Sequence, residues 1–329
     1  MVKIKTKLTC VRYPGGKSNA LKFLDTHLLK DFTEYREPFF GGGSVGLYLM
    51  QFNKDATYWI NDLFYPVYCF WKVLYEQPDA MVKFLLEKKH DYRSRTPEVV
   101  VKGTPSKSAE NGKLLHTWCR THIQWHIDQK DEFTTACFWY ILNKTSYSGM
   151  SMIGSYASLA WDQNFTDNCI KNLPKTAELM HSVKNIRVTN LDYSVLLQPD
   201  GDHDDNTFVF LDPPYKIPHN LYGDKGDMHE GFDHKKFTDA VKQCPAQWLI
   251  TYNDDADLKE WFKNSYQLPW ELQYTMKAAK RDGQEGSKKT GKSGKKGQEL
   301  LIASYPLTVV GNCATLPERA DSTLPTPTC

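Results

Sequence analysis

A strand-like segment that ends in an acid, two prolines and an aromatic residue is the feature of this sequence best suited to chemistry. Residues 208–215 read FVFLDPPY. Because prolines stiffen the turn and donate no backbone hydrogen bonds, the Asp212 carboxylate and the Pro213 carbonyl should form a rigid pair of acceptors. Such a pair can hold both hydrogens of an NH2 group and aim its nitrogen lone pair at an electrophile. Asp212, Pro213, Pro214 and Tyr215 are therefore the candidate catalytic residues, with Tyr215 stacked on a planar base.

A glycine-rich turn supplies a second candidate binding element. Residues 37–45 read EPFFGGGSV, so three glycines stand where a strand meets a helix and bare backbone can approach a ligand. About twenty residues later Asp62 follows the next predicted strand, where a carboxylate can accept hydrogen bonds from ribose hydroxyls. Each motif alone could be an ordinary turn or loop. Together they favour a pocket for an adenosine-like ligand.

The composition is that of an ordinary globular protein. The 329 residues include 41 Lys and Arg against 39 Asp and Glu, a formal charge of +2, so any nucleic-acid contact must be local. Eight cysteines without a CxxC pair predict free thiols in a reducing compartment. No apolar run of about 18 residues is present, so we expect the protein to be neither membrane-spanning nor secreted. We therefore expect an intracellular, cytoplasmic protein, or a nuclear or viral one if the host is eukaryotic.

Strand and helix signals alternate on both sides of a long helical stretch. Strands are predicted at residues 35–40, 58–60, 186–189, 208–211 and 248–252, with a closing hairpin at 270–276 and 300–305. Helices are predicted at residues 44–52, 64–92, 114–129, 133–142, 235–243 and 256–263, and residues 96–113 are predicted to be a loop. These signals predict an α/β fold, with a Rossmann-like doubly wound sheet, an antiparallel C-terminal hairpin and an inserted helical domain.

The same signals predict the domain organisation. Residues 1–64 and 185–307 would form the catalytic domain, and residues 65–184 the helical insert. Residues 277–299 are dominated by Lys, Gly and Ser, and would either neutralise phosphates or be a solvated loop. Residues 308–329, rich in Thr, Pro and Ser, are expected to be a disordered tail.

The motifs and their order resemble the Dam-like family of adenine-N6 DNA methyltransferases, in the alpha-type arrangement with the cofactor motif before the DPPY motif. Residues 13–17 (YPGGK) are similar to the family's N-terminal cofactor and target motif, and residues 37–45 to its methionine-side loop. Asp62 is similar to its ribose acid, and residues 212–215 to its catalytic loop. The resemblance covers most of the chain. It implies a methyltransferase fold that transfers a methyl group from S-adenosylmethionine, leaving S-adenosylhomocysteine, to a flipped adenine in double-stranded DNA.

The resemblance also assigns cofactor-binding positions. It implies that Tyr13 and Lys17 line the cofactor and target-base site, and that Asp192 and Tyr193 touch the adenine ring of the cofactor. The predicted cofactor-binding residues are Tyr13, Lys17, Glu37, Pro38, Phe39, Gly41, Gly43, Ser44, Asp62, Asp192, Tyr193 and Asp212.

Residues 142–150 (LNKTSYSGM) are similar to the DNA-contacting hairpin of the same family. The implied DNA-binding residues are Lys144, Tyr147, Ser148 and Met152. Tyr147 could wedge into the duplex and offset part of the cost of extruding a base, or be a packed loop aromatic. Ser148 and Met152 stand where Dam itself carries Asn and Arg, so the resemblance does not extend to the GATC recognition sequence.

A metal site is not expected. His116, Cys119, His122 and His126 share one side of a predicted helix, but a rise of about 1.5 Å per residue spreads them over roughly 15 Å, too far for one ion. The expected protein is a monomer that binds duplex DNA, with restriction-modification as its implied setting. The same acceptor pair also fits the amino groups of RNA adenine, of DNA cytosine at N4 or of protein glutamine. A non-catalytic DNA-binding relative is a further alternative.

Overall fold

Seven strands form a single sheet in the computed structural model, which describes residues 5–93, 108–198, 206–216, 231–273 and 296–308. The strands are β1 (Glu34–Glu37), β2 (Thr57–Asn61), β3 (Asn185–Thr189), β4 (Thr207–Leu211), β5 (Gln247–Asn253), β6 (Tyr266–Gln273) and β7 (Lys296–Ala303). Their order in the sheet is β3-β2-β1-β4-β5-β7-β6. Neighbours among β1 to β5 are parallel, whereas β7 is antiparallel to both β5 and β6. The predicted α/β class, parallel sheet and C-terminal hairpin are confirmed.

Helices lie between most of these strands, and those between β2 and β3 are the most numerous. The helices are α1 (Leu21–Leu24), α2 (Ser44–Leu49), α3 (Tyr65–Glu76), α4 (Pro78–Arg93), α5 (Ser108–Asp128), α6 (Glu132–Thr145), α7 (Ser158–Asn164), α8 (Asp167–Lys171), α9 (Leu173–His181), α10 (Tyr193–Leu197), α11 (His234–Gln243) and α12 (Ala256–Trp261). Short 3₁₀ helices span Lys17–Asn19 and Tyr147–Gly149. Helices α3 to α9 therefore occupy the stretch predicted to be the helical insert.

The two faces of the sheet belong to different hydrophobic clusters because side chains alternate along each strand. Phe208 and Phe210 of β4 pack in the larger cluster, which includes buried residues of α2 and of α3 to α6. Val209 and Leu211 of the same strand pack in a smaller cluster with residues such as Phe237 of α11. The insert helices thus share one core with a face of the sheet.

The parallel strands bring the chemical motifs to one edge. The glycine turn follows β1, Asp62 follows β2, Asp192 follows β3 and Asp212 follows β4. The carboxyl ends of parallel strands lie on the same side of a sheet, and the order reverses between β1 and β4, where ligands bind in doubly wound folds. The topology therefore assembles these separate segments at the position where a ligand site is expected.

Helix α5 begins earlier than the sequence suggested. Residues 96–113 were predicted to be a loop, but the described helix starts at Ser108. A Cβ atom on Gly112 would lie 2.4 Å from Cδ2 of the buried Trp161 ring, whose Nε1 donates to Ser108 Oγ. The loop prediction is wrong from Ser108 onward because Gly112 serves helix packing rather than a turn. Residues 94–107 lie outside the described part.

The remaining expectations concern thiols, the membrane and the chain's C-terminal region. Cys10, Cys69, Cys119, Cys137, Cys169 and Cys244 are free thiols. None of the helices in the described ranges combines the length and apolar character that crossing a bilayer requires. Residues 274–276 of the predicted hairpin, residues 277–295 of the Lys-rich segment, and residues 309–329 of the predicted tail with Cys313 and Cys329 lie outside the described residues.

We expect Gly112→Ala to lower the free energy of unfolding by about 1–3 kcal/mol, because the new methyl group would overlap the Trp161 ring in a packed core. The measurement is chemical denaturation followed by circular dichroism. Lys113→Ala, which changes the exposed neighbouring residue on the same helix, should leave the stability within about 0.5 kcal/mol. A gain in stability, as helix propensity alone would give Ala over Gly, would contradict this packing argument.

Candidate active site

A cavity of about 360 Å³ opens at the carboxyl edge of the sheet. This volume is in the range of small-molecule sites. The predicted cofactor and catalytic residues that line it are Tyr13, Lys17, Glu37, Pro38, Phe39, Gly41, Gly43, Ser44, Asp62, Asp192, Tyr193, Asp212 and Pro214. Pro213 is buried, and neither Pro213 nor Tyr215 is among the residues that line the cavity. The segments that the sequence singled out therefore meet around one space.

The Asp212 carboxylate is held by two side chains. Lys17 Nζ lies 2.6 Å from both carboxylate oxygens and also donates to the Gly15 carbonyl at 2.9 Å. Thr251 Oγ1, on β5, donates to Asp212 Oδ1 at 2.7 Å. Lys17 is 4% exposed and Asp212 20% exposed, so the ion pair is buried on the lysine side and faces the cavity on the carboxylate side. A carboxylate has about four acceptor sites, and these contacts leave about one for a further donor.

The DPPY loop is also fixed behind the carboxylate. Tyr215 donates its hydroxyl to Glu299 Oε2 at 2.7 Å, and its ring centroid lies 5.0 Å from Lys17 Nζ. The next residue, Lys216, donates its backbone N–H to Asn253 Oδ1 at 3.0 Å. Contacts to β5 and β7 therefore supplement the stiffness of the two prolines. Stacking of Tyr215 on a bound base remains a prediction.

The glycines of the turn make room for aromatic side chains. Gly41 and Gly43 have φ values of +47° and +66°, which side-chain-bearing residues rarely adopt. A Cβ on Gly41 would lie 2.7 Å from the Tyr13 ring, and one on Gly43 would lie 2.8 Å from Phe40 and 3.0 Å from Trp71. The side of each glycine on which a Cβ atom would stand is therefore filled by protein rings, while Gly41, Gly42 and Gly43 all line the cavity. The cavity is lined by the loop and Tyr13 together.

Asp62 fastens this loop to the end of β2. Its Oδ2 accepts from the Gly41 N–H at 2.7 Å, and its Oδ1 from the Phe64 N–H at 2.9 Å. Burial raises the pKa of Asp62 to about 6, although both hydrogen bonds act in the opposite direction. Each oxygen retains a second lone pair, so Asp62 can still accept from a ligand hydroxyl at the cavity wall.

Glu37 connects β1 to the start of α2. Its Oε2 accepts from the Tyr35 hydroxyl at 2.7 Å and from the Gly46 N–H at 2.9 Å. Burial raises the pKa of Glu37 well above its usual value, and the nearby charges of Asp212 and Asp62 act in the same direction. Glu37 thus caps the helix that follows the glycine turn. Tyr35 and Gly46 were missed in the sequence because they belong to a strand and a helix rather than to a motif.

Asn61 ties three loops together and was noted in the sequence only as the neighbour of Asp62. Its Nδ2 donates to the carbonyls of Pro38 and Leu191 at 3.0 and 2.9 Å. Its Oδ1 accepts from Thr189 Oγ1 and from the Leu191 N–H, both at 2.8 Å. The loops after β1, β2 and β3 are joined by this single buried amide.

The opposite end of the cavity is aromatic with an acid at its rim. The rings of Phe39 and Tyr193 stack with centroids 5.6 Å apart. Asp192 is exposed and caps α10, since its Oδ1 accepts from the Ser194 N–H at 2.9 Å. This end suits a planar heterocycle with polar substituents.

The predicted DNA-contacting hairpin is not a pair of strands in the described structure. Helix α6 continues to Thr145, a 3₁₀ turn follows, and one antiparallel bridge joins Ser146 to Tyr156. We call residues 146–156 the bridge loop. It is fastened to the N-terminal segment, because Arg12 Nη1 donates to the Ser146 carbonyl at 2.8 Å. Asn143 of α6 strengthens this attachment: it exchanges hydrogen bonds with the backbone N–H and C=O of Arg12 at 3.0 and 2.6 Å and donates to the Gly149 carbonyl of the loop at 3.1 Å.

The four predicted DNA-binding residues are separated by the structure. Lys144 is only 7% exposed and packs over the Tyr140 ring, and burial lowers its pKa, so its charge is not presented at the surface and its contact with DNA stays a prediction. Met152 lines the cavity instead of the outer surface. Tyr147 is 38% exposed, and the adjacent Ser148 has a positive φ of +51°. Tyr147 and Ser148 remain predictions.

Further residues line the cavity without any signal in the sequence. Because they come from helix interiors and loops of ordinary composition, no spacing rule selects them. They include Trp139, Ser151 and Ile153 from the insert, and Gly231, Phe232, Asp233 and Lys236 from the segment at the start of α11, whereas the lining residues Gly149 and Met150 belong to the 142–150 motif. The insert therefore contributes one wall of the site.

The three His residues of α5 have hydrogen-bonding partners within the protein, and Cys119 is a buried free thiol. His116 Nδ1 lies 2.7 Å from Thr145 Oγ1, and burial lowers the pKa of His116 to about 4. Nδ1 of His122 and of His126 lie 2.7 and 2.9 Å from the Trp118 carbonyl and Asp131 Oδ2. Among the described residues no group of three His, Cys, Asp or Glu side chains is placed to hold a metal ion.

Comparison with known proteins yields a family model and a curated relative. The family model described as D12 class N6 adenine-specific DNA methyltransferase matches residues 13–276. The relative is Type II methyltransferase M.MjaIII of Methanocaldococcus jannaschii, to which the chain is 24% identical over 218 residues. That alignment covers 63% of this chain and 68% of the relative. The family match begins at Tyr13 and includes every residue that lines the cavity.

We expect Asn61→Ala to lower the free energy of unfolding by about 2–4 kcal/mol, since it leaves several buried backbone groups without their partner. Chemical denaturation measures the change. Asn190→Ala is the matched control: Asn190 is partly exposed and donates to the carbonyls of Asp62 and Leu63, so its loss should cost about 1 kcal/mol or less. Equal losses for the two variants would contradict a joining role for Asn61.

Proposed function

The chain belongs to the D12 class of N6 adenine-specific DNA methyltransferases, and on that premise we propose that its cavity binds S-adenosylmethionine together with an adenine flipped out of duplex DNA. The reaction of this class is transfer of a methyl group to adenine N6 in DNA. The observation that supports the proposed complex most directly is that the glycine loop, Asp62 and Asp212 line one cavity. The relative is named a Type II methyltransferase, a name used for methyltransferases of restriction-modification systems, and we propose the same role for this protein.

The residues of the cavity fit the methyl donor from end to end. The stacked Phe39 and Tyr193 rings suit its adenine, and Asp62 has lone pairs for a ribose hydroxyl. Tyr13 and the glycine loop form the wall on the methionine side. When bound, S-adenosylmethionine supplies a methyl group on a positively charged sulfur. Because all of these residues come from one chain, a monomer contains a complete site.

Asp212 is the residue that would orient the target amine. Lys17 and Thr251 fix its carboxylate, so the remaining acceptor site has a defined direction. We assign this site to one hydrogen of the adenine NH2. The Pro213 carbonyl, which the sequence predicts as the acceptor of the other hydrogen, belongs to a buried residue that does not line the cavity, so the orientation of the amine is assigned to Asp212 alone. The hydrogen bond to Asp212 directs the nitrogen lone pair towards the donor side of the cavity, and a strong general base is not needed because the amine becomes acidic once it is cationic. Orientation and electrostatics then account for most of the rate.

The bridge loop is the element that we assign to the duplex. It lines the cavity through Met150 to Ile153 and carries the exposed Tyr147. Extruding a base costs a few kcal/mol in stacking and pairing, and an inserted side chain offsets part of this cost. We assign Tyr147 to that wedge, with Ser148 beside it.

The decisive experiment supplies labelled S-adenosylmethionine with separate pools of duplex DNA, single-stranded DNA and RNA, and maps the methylated base by sequencing. We expect label at adenine N6 in duplex DNA. Asp212→Asn should lower the rate by about 10²–10³-fold while cofactor binding persists, because the orienting carboxylate is lost. Asp239→Ala, an exposed acid on α11, is the control and should retain full activity. Label mainly in RNA, in single-stranded DNA or in cytosine would overturn the proposal.

We also expect the affinity for S-adenosylmethionine to rise with pH through about 6. Burial raises the pKa of Asp62 to about 6, and the ionised form is the better acceptor for a ribose hydroxyl, so affinity should be low below this pH and level above it. The expected change between pH 5 and pH 7 is roughly tenfold.

Isothermal titration calorimetry at pH 5, 6 and 7 measures this change in affinity. Asp62→Asn cannot ionise, so its affinity should be weaker at pH 7 and nearly constant across the range. Identical pH profiles for the two proteins, or an affinity that falls as pH rises, would rule out Asp62 as the ribose acceptor.

A further inference from the structure

A second groove, of about 390 Å³, lies along α5 on the surface of the insert. On the helix side its lining includes Lys113, Thr117, Arg120 and Thr121, which are exposed and recur at the spacing of one helical face. Ser155 of the bridge loop lies on the other side. The groove therefore presents two cations together with hydroxyl groups.

The residues that line this groove carry positive charge only. The lining contains no carboxylate, and the acidic residues of α5 lie at its ends, at Glu110 and Asp128. The acid that acts on the lining is Asp162 of α7, since burial and then the charge of Asp162 raise the pKa of Tyr156. Burial lowers the pKa of His116 to about 4, so this lining residue is neutral near pH 7. The positive charge of the lining consists of Lys113 and Arg120. In a chain of formal charge +2, such a patch is a specific feature rather than a general excess of bases.

The groove and the active-site cavity lie on two sides of one loop. Gly149 to Ile153 of the bridge loop line the cavity, whereas Ser155 and Tyr156 line the groove. Arg120 Nη1 donates to the Gly154 carbonyl at 3.3 Å, and the Tyr147 N–H donates to the Ser155 carbonyl at 2.9 Å. A nucleic-acid strand that delivers a base to the cavity past the bridge loop therefore runs close to this cationic face of α5.

We propose that the α5 groove binds the phosphodiester backbone of duplex DNA beside the flipped adenine, an inference that rests on the proposed function. Arg, Lys and Thr side chains are typical donors to phosphate oxygens. Such contacts set the position of the enzyme on the duplex but do not read its sequence. Lys113 and Arg120 supply the charge, and Thr117 and Thr121 supply neutral hydrogen bonds.

The test compares the salt dependence of DNA binding by the full-length protein and the double variant Lys113→Ala/Arg120→Ala. Neutralising phosphates releases counterions, so the slope of log K against log salt should become shallower by about 0.9 for each cation removed, or roughly 1.8 for both. Binding is measured by fluorescence anisotropy with two unmethylated duplexes. One contains the target sequence mapped in the methylation experiment, and the other lacks it. The loss of affinity should be equal for both duplexes, because phosphate contacts carry no sequence information.

Two further variants separate charge from structure. Arg120→Lys keeps the charge and should retain the wild-type slope. Lys242→Ala removes an exposed lysine on α11, a helix that packs on the opposite face of the sheet from the insert, and should also leave the slope unchanged. The double variant should bind S-adenosylmethionine normally, since neither residue lines the active-site cavity. An unchanged slope in the double variant, or an equal change in Lys242→Ala, would overturn the inference. Absence of DNA methylation by the wild-type protein would instead overturn the proposed function, and is measured separately.

Discussion

An ion pair between Lys17 and Asp212, buried on the lysine side, is the interaction on which the site depends. It joins the segment before β1 to the end of β4, across 195 positions of sequence, and closes the cavity between them. Removing one partner of a buried pair leaves an uncompensated charge and costs about 3–5 kcal/mol. The pair also determines where a substrate amine can bind, because Lys17 and Thr251 already occupy most of the acceptor capacity of Asp212. The same contact therefore contributes to stability and to orientation.

Around this pair, buried polar groups fix the positions of the loops relative to one another. Asn61 joins the loops after three strands, Asp62 holds the glycine turn, and Glu37 caps α2. Burying such groups is favourable only when they are hydrogen-bonded, and here backbone N–H and C=O groups are the main partners. The carboxyl edge of the sheet is thus preorganised by the chain itself. This matters for a reaction in which positioning accounts for most of the rate.

The sequence predicted the sheet and the residues around the cavity, because strand periodicity, turn residues and short motifs are local signals. It failed where the outcome depends on distant partners. Gly112 looked like a loop residue until the Trp161 ring gave it a packing role. Lys144 was predicted to contact DNA from its place in the 142–150 motif, which carries no information about burial, and it is only 7% exposed. The contacts of Asn61 reach residues 128 to 130 positions away, which no local pattern can reveal.

The attachment of the bridge loop to the N-terminal segment has a consequence for how such an enzyme diversifies. Asn143 is bonded to Arg12, one residue before Tyr13, and a Cβ on Gly149 would lie 2.4 Å from the Arg12 carbonyl. Changes at Asn143 or Gly149 would disturb the methyl-donor pocket as well as the DNA surface. Changes of target sequence are therefore more accessible to evolution at exposed positions such as Tyr147. Side chains can vary there while the contacts of Asn143 and Gly149 with Arg12 stay constant.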